Sequence, residues 1–259
     1  MLAGEGEGEG AEPEVSKVLP GNLGSLRAEE ERIHTESLPL IEKTENLRDH
    51  LSMIHGTMAI LYALAHDHAN TSDDELTIQY LGLRLFNSAA SSLKLAFSGY
   101  YQSAFLLVRD LFETVALLDY FRTNPNKIAV WQASDKDERI REFGPGIIRK
   151  ALNERDGFSN NKRKEIYDRL SEYASHPTAS GFQLLAPDGL GRIGPFLNEK
   201  YLNAWLEETV LHLVYGGAVF IEHFSHVERP VLVAKDAFRE QATRWRDRYM
   251  GGKKGSTAT

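Results

Sequence analysis

Apolar residues fall almost all the way round one stretch of this chain. Between Tyr100 and Thr123 they include Phe105, Leu106, Leu107, Val108, Leu111, Phe112, Val115, Leu117, Leu118 and Phe121, and at about 100° per residue they leave no broad polar face. A helix of that kind is buried on most sides, so it predicts the centre of a helical fold. The run that contains it, Asp74 to Arg122, is long for one helix, and Ser98-Gly99 at its middle marks a break. Asn124-Pro125 stops the second half.

Helical spacing dominates elsewhere. Leu38, Ile41, Leu47, Leu51, Ile54, Met58 and Leu61 recur at threes, fours and their sums, which predicts an amphipathic helix from Ser37 to His68. Asn70 to Asp74 reads as a turn with Ser72 or Asp73 as the following N-cap. Shorter helices are expected over Lys127 to Phe143, Pro145 to Arg155 and Asn160 to Ser175. The segment after His176-Pro177 is dense in Gly and Pro, with a Pro187-Asp188-Gly189 turn between short apolar runs, and predicts a β-hairpin over Gly181 to Phe196. Helical spacing returns from Asn198 to Val227, is punctuated by Pro230, and resumes to Met250. The expectation is an all-α multi-helix bundle with one small β-hairpin insertion. It forms a single domain over residues 22–250, between a disordered acidic Gly/Glu tail (1–21) and a second disordered tail (251–259), neither of which can bury enough apolar surface to offset ordering.

Charge narrows the partners. The formal net charge is −7, but five glutamates between Glu5 and Glu14 account for most of it, which leaves a nearly neutral body and argues against duplex DNA as a partner. Two local basic excesses remain, Arg139 to Arg169 and Lys235 to Lys254; each reads as a solvated helix face or as a surface for phosphate. The chain has no cysteine, so disulfides, thiolate catalysis, zinc ribbons and iron–sulfur clusters are out, which suits a cytoplasmic protein. The longest apolar run, Thr209 to Ile221, is too short to span a bilayer, so no membrane partner is expected. Walker, dinucleotide-binding, nucleophile-elbow and His-Glu-x-x-His motifs are missing, and the Glu208/His212 and His223/His226 pairs do not make a di-iron pattern. No metal and no cofactor is expected.

Two constellations carry chemistry. Arg109 and Glu113, four residues apart, share a narrow stripe of the apolar helix with Gln102 and Tyr120. Charges there must be paired, so they form a structural ion pair or present Arg109 to an anionic ligand. The second is Tyr167, Arg169, Ser171, Tyr173 and His176 on a helix that ends at Pro177. Seven α-helical residues advance about 700°, so Arg169 and His176 fall within about 20° of one face, about 10 Å apart along the axis. Either they address one ligand, or the helix dipole and neighbouring glutamates account for both.

Arg109-x-x-x-Glu113 on an apolar helix, then Tyr167-x-x-Leu170-Ser171 and His176 ahead of a Gly/Pro-rich loop, resembles a family of uncharacterised prokaryotic helical proteins over about Leu81 to Leu213. Arg169-x6-His176 is also similar to the Arg-x4-6-His signature of the HEPN superfamily, whose helical members include metal-independent ribonucleases of toxin and defence systems that act as dimers. That family often has Asn or another polar residue directly after the Arg, where this chain has Leu170. The resemblance implies Arg169 and His176 as catalytic residues, RNA as substrate and a homodimer. In that scheme His176 is the general acid or base, and Arg169 stabilises charge on the reacting phosphate. Arg109, Glu113, Tyr167, Ser171 and Tyr173 are the binding or buried polar support. The alternative is a non-catalytic helical scaffold in which these residues are structural.

Overall fold

A computed structural model describes residues 21–251, and every described residue outside its helices is turn, bend or loop. Among these residues ten α-helices run in order: α1 (Gly21–Glu42), α2 (Glu45–Tyr62), α3 (Asp73–Phe97), α4 (Tyr101–Thr123), α5 (Lys127–Ala133), α6 (Lys136–Phe143), α7 (Pro145–Arg155), α8 (Lys162–Leu170), α9 (Glu199–Ile221) and α10 (Arg229–Met250). The expected tails lie outside the described residues, apart from Gly21, which opens α1, and Gly251, which comes directly after α10.

The apolar helix sits where its composition places it. α4 packs along α3 on one side and α9 on another, α2 covers α9, and α10 lies across α2. Val108, Leu111, Leu118 and Phe121 of α4 join Leu85, Leu202, Trp205 and Phe220 in one continuous core. A fully buried polar chain pins the three central helices. Trp205 Nε1 donates to Ser92 Oγ at 2.7 Å, and that hydroxyl donates to the Ala104 carbonyl at 2.9 Å. α9 and α4 come unusually close at Gly216, where an added Cβ would sit 2.5 Å from Val115 Cγ2.

The break between α3 and α4 falls at Ser98-Gly99 as expected, because Gly99 takes a φ of +83°, a conformation open to glycine. Ser72 caps α3, its hydroxyl accepting from the Glu75 N–H at 3.1 Å.

Three expectations need correction. The Ser37 to His68 helix is two helices. Thr44 takes an extended conformation between them, and α1 runs back to Gly21. The apolar spacing carries on through the break because Ile41 and Leu47 enter the same core from either side of it. Lys127 to Phe143 likewise divides into α5 and α6, where Asp135 makes a capping box with Glu138.

The hairpin over Gly181 to Phe196 is not formed. Gly181–Leu184 is a 3₁₀ turn, and the Pro187-Asp188-Gly189 turn is closed by Gly189 N–H to Ala186 O at 3.1 Å. A single further bond, Arg192 N–H to Leu185 O at 2.9 Å, crosses it. Gly191, Gly194 and Pro195 interrupt the returning arm, and Leu190 and Ile193 are exposed, so no half-buried face exists to support a strand.

Two π-turns interrupt the helical rise. The first, Ala63–Asp67, has its displaced carbonyls satisfied by the buried Gln79 amide, which donates to Leu64 O at 3.0 Å and His68 O at 2.6 Å. The second, Ser171–Ser175, continues α8 and ends at His176, which Pro177 holds in an extended conformation.

Candidate functional site

Arg109 projects from α4 toward α8. Its Nη2 lies 2.8 Å from Glu113 Oε1 and donates to the Tyr167 hydroxyl at 2.7 Å, while Nη1 donates to Ser175 Oγ at 3.1 Å. Arg109 therefore pairs with Glu113 and also anchors the π-turn. Its guanidinium lies 4.8 Å from the centre of the Tyr167 ring, and Arg149 of α7 stacks on the same ring at 3.8 Å. The side chains of Arg109 and Glu113 are 22% and 29% exposed, so the cluster opens to one side.

Several atoms of this cluster are buried with no hydrogen-bond partner: Arg109 Nε, Glu113 Oε1, Arg149 Nη1 and Ser171 Oγ. Glu113 Oε1 has the Arg109 charge beside it, but the approach is misaligned for a hydrogen bond. Ser171 is nine-tenths buried and lies between Tyr167 and Ser175 along the helix. Among the described residues Arg149 pairs with no carboxylate.

Arg169 and His176 are placed differently from the spacing argument. A turn closed i to i+5 takes in one residue more than an α-turn, which rotates the residues beyond it by about 100°. His176 therefore leaves the face that Arg169 occupies. The Arg169 guanidinium, 54% exposed, is bound by Glu208 of α9. Glu208 Oε2 lies 3.4 Å from His212 Nε2, and the His212 ring meets Phe112 edge-on at 5.3 Å. Burial works to raise the Glu208 carboxyl, but the His212 ring and the Arg169 charge beside it outweigh it and hold it below its usual range. His176 is exposed, and among the described residues its ring has no hydrogen-bond partner. Its backbone N–H donates to Ser171 O at 3.0 Å. Tyr173 is half-buried on the π-turn beside it.

The fold thus gathers Arg109, Glu113 and Tyr167 and adds Arg149 and Ser175, which the sequence did not single out. It sends Arg169 toward α9 and leaves His176 at the helix end. Glu208 and His212 were visible as an i, i+4 pair, but nothing local links them to α8.

A second polar hub fixes α7, and with it Arg149. Asp119 of α4 is 1% exposed; its carboxylate accepts two bonds from Arg155 at 2.9 Å, two from Arg122 at 2.9 and 3.2 Å and one from the Tyr215 hydroxyl at 2.7 Å. Burial alone would raise its pKa, but these bonds prevail and hold it at about 2. Arg155 also binds Asp156, which binds Arg163. In this hub each charge has a partner, and its arrangement is structural.

Arg84, Asp110 and Glu113 form a wall shared by two clefts on the α3 and α4 side of the cluster. One, about 260 Å³, lies against α5, α6 and α7 with a mostly apolar lining; the other, about 650 Å³, is more open and lined by polar and apolar residues alike. Among the described residues no three His, Asp or Glu side chains gather to hold a metal ion, and no helix is long and apolar enough to cross a membrane. Comparison with protein-family models, curated proteins and solved structures finds no match to this chain.

Proposed function

We propose that this protein is a HEPN-like RNA-acting protein, a metal-independent endoribonuclease of the toxin or defence type that works in the cytoplasm as a homodimer and does not take duplex DNA. The observation that carries this reading is the exposed, unpartnered imidazole of His176, held at the end of a helix whose last turn is tied to α4 through the Arg109 to Ser175 bond. His176 takes the proton of a ribose 2′-hydroxyl as that oxygen bonds to the adjacent phosphorus. The bond from phosphorus to the 5′-oxygen breaks, and the partner subunit's His176 protonates the leaving oxygen. Arg169 stabilises the phosphoryl oxygens. Its half-exposed guanidinium has donors left beyond those used by Glu208.

The test is incubation of single-stranded RNA with the purified chain in the presence of a chelator. Cleavage is expected, with loss in His176→Ala at an unchanged melting temperature. Absence of cleavage by the wild type, or cleavage retained by His176→Ala, overturns the proposal. Because the chain has no cysteine, Glu172→Cys gives a single crosslinking site beside His176. The dimer reading expects a disulfide-linked pair, and a monomer in solution refutes it.

A second reading, a non-catalytic helical scaffold, is favoured by the pairing of Arg169 with Glu208 and by the π-turn that rotates His176 off the Arg169 face. Under it, no RNA is cut and Arg169→Ala costs only the small stability of an exposed pair, about 0–1 kcal/mol.

A further inference from the structure

A cleft with an almost wholly apolar lining lies between α1, α2 and α3, on elements that carry none of the residues assigned to cleavage. It holds about 630 Å³, within the range of small-molecule sites. Ile41 of α1, Leu51, Ile54 and Met58 of α2 and Leu93 of α3 form its walls, and the exposed Leu38 stands at its lip. Ile41 and Ile54 are buried and the other three wall residues are half-buried, so the apolar surface is recessed between the helices. A recessed strip gives a partner helix little to touch, because a stable protein interface takes about 800 Å² from each side. It suits a thin apolar chain, and Met58 can adjust to one.

Charge gathers at one end of the strip. Arg48, in the first turn of α2, donates from Nη1 to the Glu42 carbonyl at the end of α1, which brings both residues to the same mouth of the cleft. Among the described residues Arg48 pairs with no carboxylate, and its other N–H groups remain as donors for an anion. Arg48, Leu51, His55 and Met58 stand three, four and three residues apart, so one stripe of α2 runs from the guanidinium along the apolar wall, with His55 at its solvent edge. From Arg48 to Met58 the helix rises about 15 Å, the reach of an extended alkyl chain of about ten to twelve carbons. The Glu42 side chain opposes an anion at the same mouth, so its removal and that of Arg48 have opposite signs.

We propose that the cleft between α1, α2 and α3 binds a free fatty acid of about ten to twelve carbons, its carboxylate held by Arg48 and its chain laid along Leu51, Ile54, Met58 and Leu93. The site is independent of cleavage at His176. A chain that cuts RNA with this cleft empty leaves the preceding reading intact, and a chain that binds the fatty acid without cutting RNA leaves this one intact.

The full chain is titrated by calorimetry with decanoate, decanol and decyltrimethylammonium, each below its micelle concentration. Decanoate is expected to saturate a single site, with decanol and the cation each at least about tenfold weaker. Arg48→Gln weakens decanoate by at least about tenfold and leaves decanol as it was, whereas Glu42→Gln tightens decanoate. Leu38→Asp weakens decanoate and decanol alike. All three positions are exposed, so circular dichroism of each variant stays that of the wild type. The proposal is overturned if decanoate does not saturate, if the cation binds as well as decanoate, if Arg48→Gln binds decanoate as the wild type does, or if Leu38→Asp changes neither ligand.

Discussion

Asp119→Asn removes one negative charge from the centre of the α4, α7 and α9 junction and changes almost nothing in shape. In the wild type the carboxylate faces Arg155, Arg122 and Tyr215, and its pKa falls from 3.8 to about 2. At about 1.36 kcal/mol per unit, that depression corresponds to about 2 kcal/mol of folding stability at neutral pH. The asparagine loses this and also faces two guanidinium groups with an amide, so the expected loss is about 3 kcal/mol, toward the lower end of the range for a broken buried pair. Urea denaturation at pH 7 measures it, and the melting temperature falls by about 2–4 °C for each kcal/mol. The sign with pH is fixed by the direction of the shift. Because the folded pKa is depressed, the contribution is complete above the unfolded value of 3.8 and is lost as pH falls toward 2, with about half gone by pH 3. The gap between wild type and variant therefore narrows below pH 4. A loss under about 1 kcal/mol at pH 7, the range of an exposed pair, or a gap that stays constant with acid, refutes the reasoning.

Glu113→Ala costs about 1–2 kcal/mol by chemical denaturation, between the exposed and buried limits, because the pair is a quarter exposed and Arg109 keeps Tyr167 and Ser175; a loss above about 3 kcal/mol contradicts that. His50 Nδ1 accepts from Trp245 Nε1 at 3.1 Å, and burial lowers the His50 pKa, so the docking of α10 on α2 is at full strength above the unfolded value of 6.5 and weakens as pH falls below it. Hydrogen exchange of α10 at pH 7.5 and pH 5.5, corrected for the intrinsic amide rate at each pH, checks this: protection falls in acid, and His50→Phe flattens the difference. Gly216→Ala is expected to destabilise by about 1–3 kcal/mol through overpacking against Val115, and an unchanged melting temperature would show that α4 and α9 can separate freely.

Features set by local chemistry were legible in the sequence. The α3 to α4 break could be found because Gly99 needs positive φ, and α4 could be placed at the centre because its apolar residues leave no polar face. The Pro187 turn was legible too, but a turn signal does not make strands of its flanks, and the glycines and Pro195 downstream of it decide against them. The π-turn at Ser171–Ser175 left no mark in the apolar pattern. An added residue shifts only the helix beyond it, and here the helix ends at once, so the shared face of Arg169 and His176 was inferred from a regular rise that the chain does not keep. Partners across helices were the least accessible. Nothing near Asp119 in sequence points to Arg155 or Tyr215, and nothing near Arg149 points to Tyr167.

The chemistry assigned to His176 is tested most directly by the ends of the RNA fragments produced by the wild-type chain under chelation, read by mass spectrometry. Attack by the 2′-hydroxyl predicts a 2′,3′-cyclic phosphate on one fragment and a 5′-hydroxyl on the other. Fragments ending in 3′-hydroxyl and 5′-phosphate, or intact RNA, contradict it.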